Sequence, residues 1–189
     1  MKLKNENDLL KKAEEFDQDS LGLIYDAYSP GLYRYASRLL GDSNIAEECV
    51  ADTFSRYLGA LRTGHGPNDN LQAYLYRIAH NWITDFYRRH NPITVELNET
   101  IETAAHDKPE NKMIESFQKQ QIQVALRTLT PEQRQVIVLR FLEEWSIDEV
   151  ALALQKPVGA IKALQHRALA SLKNTFLSEE KASLNENRK

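Results

Sequence analysis

Apolar side chains recur every three or four residues through two long blocks of this chain, a spacing typical of amphipathic helices and not of strands. In the first block the repeat covers residues 21–40, stops at Gly41, and resumes over residues 45–61. A segment rich in glycine, proline, aspartate and asparagine, residues 63–70, interrupts the repeat, which then continues over residues 71–90. The pattern predicts an all-α protein.

An acid-rich segment separates the two helical blocks. Residues 92–118 carry two basic and six acidic side chains, and no sustained apolar period appears in them before Met113. Because a structureless connection of this length is uncommon inside a compact domain, we expect two small helical domains and a flexible linker; the alternative is a long surface loop of a single domain. The predicted boundaries are a first domain at 1–91, the linker at 92–112, a second domain at 113–178 and a polar tail at 179–189.

Capping signals divide the second block into short helices. The sequence TPEQ at 130–133 combines an N-cap threonine, a proline at the first helical position and a glutamine that completes a capping box. A second capping box, SIDE, opens a short helix at Ser146, and Pro157 is placed to begin another. Two short helices joined by a tight turn predict a C-terminal helix-turn-helix.

The last helix of this motif has a surface suited to DNA. No aspartate or glutamate occurs in residues 151–177, and the stripe that faces away from the predicted core contains Lys162, Ala163 and His166, with Arg167 at its edge. Small side chains allow a helix to enter the major groove, and long donors reach base edges. The alternative is a helical hairpin whose basic face is merely solvated.

The helix predicted over residues 71–90 has an unusual polar face. Its one acidic residue is Asp85, and aromatic rings at Tyr74 and Tyr87 lie among basic and amide side chains. Aromatic rings stack on unpaired bases, at ~1–3 kcal/mol per base, while arginine attracts phosphates. This face is therefore a candidate for single-stranded nucleic acid; the alternative is an ordinary amphipathic helix with solvated charges. The candidate DNA-binding residues here are Arg77, His80, Asn81, Arg88 and Arg89.

The composition removes most enzyme classes. The 189 residues include one cysteine, and the five histidines show no ligand spacing, so neither a disulfide nor a metal site is expected. No glycine-rich phosphate loop or nucleophile elbow occurs. We expect no cofactor and no catalytic residue, so the protein is predicted not to be an enzyme. No apolar run approaches the roughly 18 residues that a membrane span needs, and the N-terminal segment is charged, so we expect a cytoplasmic protein without a membrane span.

Three motifs in this order resemble the extracytoplasmic-function (ECF) group of bacterial sigma factors, in the sigma-70 family. They are LYRYASRLLGDSNIAEECVADTFSRYL at 32–58, LQAYLYRIAHNWITDFYRRH at 71–90 and LTPEQRQVIVLRFLEEWSIDEVALALQKPVGAIKALQHRALASLK at 129–173. The resemblance covers most of residues 20–175. It implies sigma region two in the first domain and sigma region four in the second, with RNA polymerase carrying out the chemistry.

The resemblance implies the RNA polymerase core as the main partner. The helix over 44–61 would dock on the clamp of the largest subunit, and the flank of region four on the flap of the second subunit. The implied clamp-binding residues are Glu47, Glu48, Asp52, Thr53 and Phe54, with core packing as the alternative for Phe54. An anti-sigma factor, common in this family, is a further candidate partner.

The resemblance also assigns the two DNA-binding surfaces to the two promoter elements. The helix over 71–90, with the loop before it, would open the −10 element and hold a flipped non-template base; of the candidates named above, all but His80 fit this role best. Region four would bind the −35 element through Lys162, Ala163, His166 and Arg167. The chain has Ala163 and Leu164 where many members carry a Ser-Arg pair, and Ala160 where threonine is common. The −35 sequence preference therefore stays open.

Electrostatics favours a DNA binder that needs a scaffold. The formal net charge is −3 and few phosphate contacts are available, so free duplex is expected to bind weakly. Two weak sites bind strongly once a scaffold fixes their separation. Two alternatives remain: a helix-turn-helix transcription regulator that acts without being a polymerase subunit, and a helical adaptor without a nucleic-acid role.

Overall fold

The computed structural model describes residues 6–90 and 122–186, and within these ranges it contains helices and no strand. The helices follow one another in the order α1 (Glu6–Glu14), α2 (Gln18–Leu40), α3 (Ser43–Arg62), α4 (Leu71–His90), α5 (122–127 among the described residues), α6 (Pro131–Ile137), a π-helix (Val138–Leu142), α7 (Ile147–Leu154) and α8 (Val158–Glu186). None of the helices in these ranges has the length and apolar character to cross a membrane. The all-α prediction is confirmed, while the predicted linker at 92–112 lies outside the described residues.

Local signals set the ends of the first-domain helices. Asp17 caps α2 by accepting a hydrogen bond from the Ser20 backbone N–H at 2.9 Å. Gly41 ends the helix with a φ of 74°, a left-handed conformation that favours glycine. Asp42 then caps α3 by accepting hydrogen bonds from two backbone N–H groups. The three helices predicted in this half of the chain are confirmed.

The core of the first domain is formed by one buried stripe from each of α2, α3 and α4. Tyr35, Tyr57 and Leu75 are among its most deeply buried side chains. Cys49 lies in the same core, as the apolar spacing of α3 predicts. Fully burying one large apolar side chain contributes ~1.5–3 kcal/mol, so these stripes hold α4 firmly against α2 and α3.

The sequence pattern does not indicate α1, because only Leu10 and Ala13 give this short helix a buried stripe. The Glu6 carboxylate of α1 accepts a hydrogen bond from the Leu71 backbone N–H at 2.7 Å. This bond satisfies one of the N–H groups that have no partner within the first turn of α4. The N-terminal segment therefore helps to fix where α4 begins.

Both capping boxes predicted in the second half are confirmed. Thr130 and Gln133 exchange side-chain-to-backbone hydrogen bonds at the start of α6, and Ser146 and Glu149 do the same at the start of α7, at 2.8 and 3.2 Å. The helix predicted to continue through residues 134–144 instead widens into the π-helix. Apolar periodicity gives no signal for that change.

The helix-turn-helix is formed by α7, a turn at Gln155 and α8. Gln155 ends α7 with a left-handed φ of 52°. Ile161, Leu164 and Ala168 form the buried stripe of α8, as predicted. The helix extends to Glu186, past the predicted boundary at 178, because neither glycine nor proline interrupts this part of the sequence.

The two helical units pack against each other. In the described part of the chain, α7 lies against α4, and the π-helix lies against α2. Trp145, which precedes α7, is 5% exposed, and the centroid of its ring is 4.5 Å from that of Tyr76 on α4. The sequence predicts the two domains but not this contact between them.

Replacing Ser146 with alanine removes the hydroxyl that accepts a hydrogen bond from the Glu149 backbone N–H. Loss of such a cap costs ~1 kcal/mol, so we expect Ser146→Ala to have a lower free energy of unfolding in urea. Ser55→Ala, at an exposed position inside α3, is the control and should not destabilise the protein, since alanine is the better helix former. Equal stability of the Ser146→Ala and wild-type proteins would contradict the capping role.

Candidate nucleic-acid interface

The four residues predicted on the outward stripe of α8 lie together on the protein surface. Lys162, Ala163, His166 and Arg167 are all exposed, and their spacing of one, three and one residues places them on adjacent turns of one face. The buried stripe of α8 holds this face outward from the helix-turn-helix. Two long cationic side chains and a histidine thus surround a small alanine, an arrangement that can enter a major groove.

Three of the five candidates on α4 are exposed, one at the middle of the helix and two in its last turn. Asn81, Arg88 and Arg89 face solvent. Arg88 forms an ion pair with Asp85, Nη2 to Oδ1, at 3.0 Å, and the Arg89 Nε donates to the Asp85 carbonyl oxygen at 3.3 Å. Exposed ion pairs of this kind contribute little stability. Both arginines can therefore exchange these contacts for a phosphate.

Arg77 is half-buried and lies over an aromatic ring. Its guanidinium carbon is 5.3 Å from the centroid of the Tyr74 ring, within the range of a cation–π contact. Tyr74 itself packs edge-on to Tyr57 of the core, with centroids 6.2 Å apart. The structure therefore holds Arg77 along the same side of α4 as Asn81, one helical turn away.

His80 does not join this exposed group. It lies against the second domain, and its Nδ1 is buried without a hydrogen-bond partner among the described residues. Burial away from water, helped by the positive charge of Lys156 and opposed by Glu132 and Gln135, lowers the pKa of His80 to about 4. His80 is therefore a neutral residue of the domain contact, while the next residue, Asn81, faces solvent. The two side chains can lie on different surfaces because adjacent positions on an α-helix point about 100° apart.

Tyr87, expected on the nucleic-acid face, is also occupied by structural contacts. Its hydroxyl donates a hydrogen bond to the Leu39 carbonyl oxygen, and the Arg134 Nη1 donates to the same hydroxyl at 3.1 Å. The Arg134 guanidinium carbon lies 5.8 Å from the centroid of the Tyr87 ring. Tyr87 therefore links α2, α4 and α6, and its ring is not a free stacking surface.

The predicted clamp-binding residues of α3 divide into an exposed set and a buried set. Glu47 and Glu48 are exposed, and Asp52 is paired with Arg56 at 2.6 Å. Thr53 is fully buried and donates its hydroxyl hydrogen to the Cys49 carbonyl oxygen at 2.7 Å. Only the acidic members of the predicted set lie on the surface of α3.

Phe54 is also buried. It is 8% exposed, and its ring centroid lies 4.8 Å from that of Tyr25 on α2. Core packing, the alternative considered for Phe54, is the arrangement found. Tyr25 is itself half exposed, so this aromatic pair runs from the core to the surface.

Sequence reasoning missed a cluster of charged residues at the domain contact. The side chain of Glu143, at the end of the π-helix, is 5% exposed and binds both Arg38 and Arg34 of α2, the latter at 3.2 Å from Nη2 to Oε2. The signal present in the sequence was the pair Arg34 and Arg38, one helical turn apart on α2, which indicates a site for an acidic partner. Their acidic partner lies more than 100 residues away in the chain, which no local pattern reveals.

Two parts of the chain match known sigma-factor families. Residues 24–93 match the family Sigma-70 region 2, and residues 125–174 match the family Sigma-70, region 4. These ranges contain the exposed surfaces of α4 and α8, respectively. The order of the two families is the order that the sequence motifs predict.

Curated relatives support the same assignment. The chain is 32% identical over 167 residues to the ECF RNA polymerase sigma factor BldN of Streptomyces coelicolor, covering 87% of this chain and 63% of that protein. It is 30% identical over 149 residues to the RNA polymerase sigma-E factor of the same organism, covering 79% of this chain and 81% of the relative. The chain thus spans less than two thirds of BldN but most of sigma-E.

A solved structure shares the fold. The structure of CnrH in complex with the cytosolic domain of CnrY matches with a TM-score of 0.71 and 23% identity, over 93% of this chain and 99% of that one. The two family matches define the class of protein as a sigma factor. The chain belongs to the ECF group of the sigma-70 family of RNA polymerase sigma factors.

The pKa of His80 predicts a pH dependence of stability. The unfolded histidine has a pKa of 6.5 and the folded one a pKa of about 4, so between these values only the unfolded chain is protonated at this position. The stabilisation from neutral His80 is complete above pH 6.5 and is lost as the pH falls towards 4. We expect the thermal midpoint to fall over this window, and to fall less in His80→Gln. An identical pH profile for the two proteins would contradict the shift.

Proposed function

We propose that this sigma factor positions RNA polymerase on promoters by binding the −35 element with α8 and the −10 element with α4. The observation that carries the proposal is the presence of two exposed cationic surfaces on two separate helical units. One consists of Lys162, Ala163, His166 and Arg167 on α8, and the other of Asn81, Arg88 and Arg89 on α4, beside Arg77. Each surface alone is too small for tight binding, which makes a scaffold necessary.

At the −35 element, α8 is the recognition helix of the helix-turn-helix. Its first turns carry the four exposed residues, and Gly159 leaves open space around its α-carbon. No acidic side chain occurs in residues 151–177 to repel phosphates. These features suit insertion of the N-terminal half of α8 into the major groove, with Lys162 and Arg167 as donors to bases or phosphates.

At the −10 element, α4 and the preceding loop capture unpaired bases. The loop is well anchored: Pro67 is buried, and Gly66 lies so close to the Leu61 side chain that a β-carbon at Gly66 would be 2.6 Å from it. His65 and Asn68 remain exposed at its tip. A firmly held loop loses little conformational entropy when it binds a base, and base capture offsets a few kcal/mol of unstacking.

Docking on the polymerase core uses different surfaces. The exposed carboxylates of Glu47 and Glu48 on α3 would meet a cationic surface on the clamp of the largest subunit. The exposed apolar residues Leu169 and Phe176 on the later turns of α8 would meet the flap of the second subunit. The protein would act in the cytoplasm, where its polymerase and promoter are present.

An anti-sigma factor is a further proposed partner. The sigma factor RpoE of Bartonella quintana, whose fold this chain shares with a TM-score of 0.60, was solved in complex with the anti-sigma factor NepR. Such a partner would control access to the surfaces described above. Co-purification from cells would identify it.

Association with the polymerase core is the primary test of the proposed function. We expect the purified chain to bind core enzyme on a sizing column and to direct run-off transcription from a subset of a promoter library. The surviving promoters should share sequences near −35 and −10. Absence of core binding would overturn the proposal and favour a helix-turn-helix regulator that acts alone.

Removing either donor from α8 should weaken promoter recognition. We expect Lys162→Ala and Arg167→Ala each to reduce promoter-specific initiation by ~1–3 kcal/mol if the side chain contacts a base, measured as the change in transcription at limiting protein. Lys173→Ala removes the same charge from an exposed position farther along α8, six residues beyond Arg167, and should have a much smaller effect. Equal effects of all three substitutions would indicate a general electrostatic contribution and not recognition.

Changes on the α4 surface should affect strand opening more than promoter binding. We expect Asn81→Ala and Arg88→Ala to reduce permanganate reactivity of the −10 thymines while leaving most closed-complex binding intact, because these residues are proposed to hold unpaired DNA. Lys11→Ala, an exposed cation on α1, is the control for charge. Parallel loss of both steps would argue against a role in opening.

A further inference from the structure

The contact between the two domains is built around a buried carboxylate. Glu143 has a side chain that is only 5% exposed, and its two oxygens bind Arg34 and Arg38 of α2. Arg38 also donates to the Leu142 carbonyl oxygen at 3.3 Å. The second domain thus inserts an anion between two cations of the first, an arrangement that is lost when the domains separate. We call this cluster of Arg34, Arg38 and Glu143 the latch.

Aromatic packing lies directly beside the latch. The Trp145 ring, two residues after Glu143, packs on Tyr76 of α4 with a centroid distance of 4.5 Å and an interplanar angle of 54°. Tyr76 in turn sits close to Gly31 of α2, where a β-carbon would be 2.6 Å from the tyrosine hydroxyl oxygen. Only glycine at position 31 leaves room for this tyrosine without a shift. Gly31 therefore makes room for the tyrosine ring on which Trp145 packs.

A second set of polar contacts closes the other end of the interface. The Gln135 amide nitrogen is 3.5 Å from the Thr84 hydroxyl oxygen, and Arg134 binds the Tyr87 hydroxyl. His80 is covered between these contacts, near Lys156. The contact therefore runs along α4 from Tyr76 to Tyr87, which is most of the length of the helix proposed to open DNA.

The closed arrangement also brings the two DNA-binding helices too close together. Because α7 packs on both α4 and α8, the axes of α4 and α8 are separated by about two interhelical distances there, roughly 20 Å. The names of the −35 and −10 elements give their positions relative to the transcription start, so they lie about 25 base pairs apart. At 3.4 Å per base pair this is roughly 85 Å of duplex. One closed molecule cannot occupy both elements.

We propose that the latch and the Trp145 contact form an autoinhibitory interface, so that the free sigma factor is closed and must open to bind a promoter. This inference rests on the proposed function, because closure inhibits only a protein whose two domains have to separate. In the closed form, the segment of this chain from Glu143 to Trp145 binds the first-domain surface formed by Arg34, Arg38 and Tyr76. Binding to the polymerase core selects the open form by holding the two domains apart.

The decisive variant is Glu143→Gln, which removes the charge of the latch and keeps the size of the side chain. The matched control is Glu144→Gln at the neighbouring position. Glu144 is exposed, and its substitution changes the net charge by the same amount. Arg38→Gln removes a cation of the latch from the first domain. Because this substitution lies on α2, its effect cannot come from a local distortion of the π-helix. Circular dichroism should give the same helix content for all four proteins.

Small-angle scattering of the full chain measures closure without polymerase. We expect Glu143→Gln and Arg38→Gln to have a larger radius of gyration than wild type and Glu144→Gln. Reversing the pair, as Arg38→Glu with Glu143→Arg, should restore the compact form that either reversal alone disrupts. Folded variants that stay as compact as wild type would overturn the inference.

Transcription with core enzyme measures the consequence of opening. A conformer that must first open binds with an affinity reduced by its open fraction, and minor states are commonly populated at ~0.1–10%. We therefore expect the concentration of Glu143→Gln that gives half-maximal transcription to fall by about tenfold or more relative to wild type, with an unchanged plateau. An unchanged half-maximal concentration would refute autoinhibition.

The two measurements separate the two proposals. Wild-type protein that never supports transcription would overturn the proposed function, and with it the inhibitory meaning of the interface, even if scattering showed the latch opening. Wild-type protein that transcribes, together with a Glu143→Gln protein that is equally compact and equally active, would overturn the latch alone.

Discussion

The helix α4 has to serve three surfaces at once, and the 3.6-residue period of the α-helix makes this possible. Three consecutive residues illustrate the division. Ala79 is buried in the first-domain core, His80 lies against the second domain, and Asn81 faces solvent. The buried stripe of α4 fixes the helix in the first domain, so the stripe of His80 and the stripe of Asn81 have fixed positions beside each other. A second domain bound to the first of these stripes therefore limits what can approach the second.

Helix boundaries and the helix-turn-helix were predictable because they depend on neighbouring residues. The capping boxes at Thr130 and Ser146 and the stop at Gly41 are interactions over two to four residues, and the stripe of α8 follows from a single period. The π-helix at Val138–Leu142 was not predictable, since it depends on how that segment packs. The same holds for α1, whose role is a contact from Glu6 to a distant backbone N–H.

The candidate site was predictable only in part, for a related reason. Periodicity separates an apolar stripe from the polar remainder of a helix, but it cannot tell which polar positions a second domain covers. It grouped His80 with Asn81, although the structure places them on different surfaces. The family resemblance, and not the periodicity, gave Thr53 and Phe54 a clamp-binding role, although both belong to the apolar repeat of α3 and are buried. A resemblance carries over a helix more reliably than the direction of each side chain. In the part of the chain that the structure describes, Lys162 and Arg167 of α8 are exposed, and there the prediction of an outward face agrees with the structure.

The side chains at the domain contact suit an interface between two domains that separate reversibly. A purely apolar interface would lose all of its stabilisation on opening and would favour a permanently closed chain. Here the carboxylate of Glu143 loses hydration when it is buried, and Arg34, with a side chain that is 54% exposed, binds it at the edge of the interface. Separation returns that hydration, so the net free energy of the ion pairs is small compared with their direct attraction. The closed form is then specific in geometry but modest in free energy, and a partner that binds only the open form can shift the equilibrium by mass action.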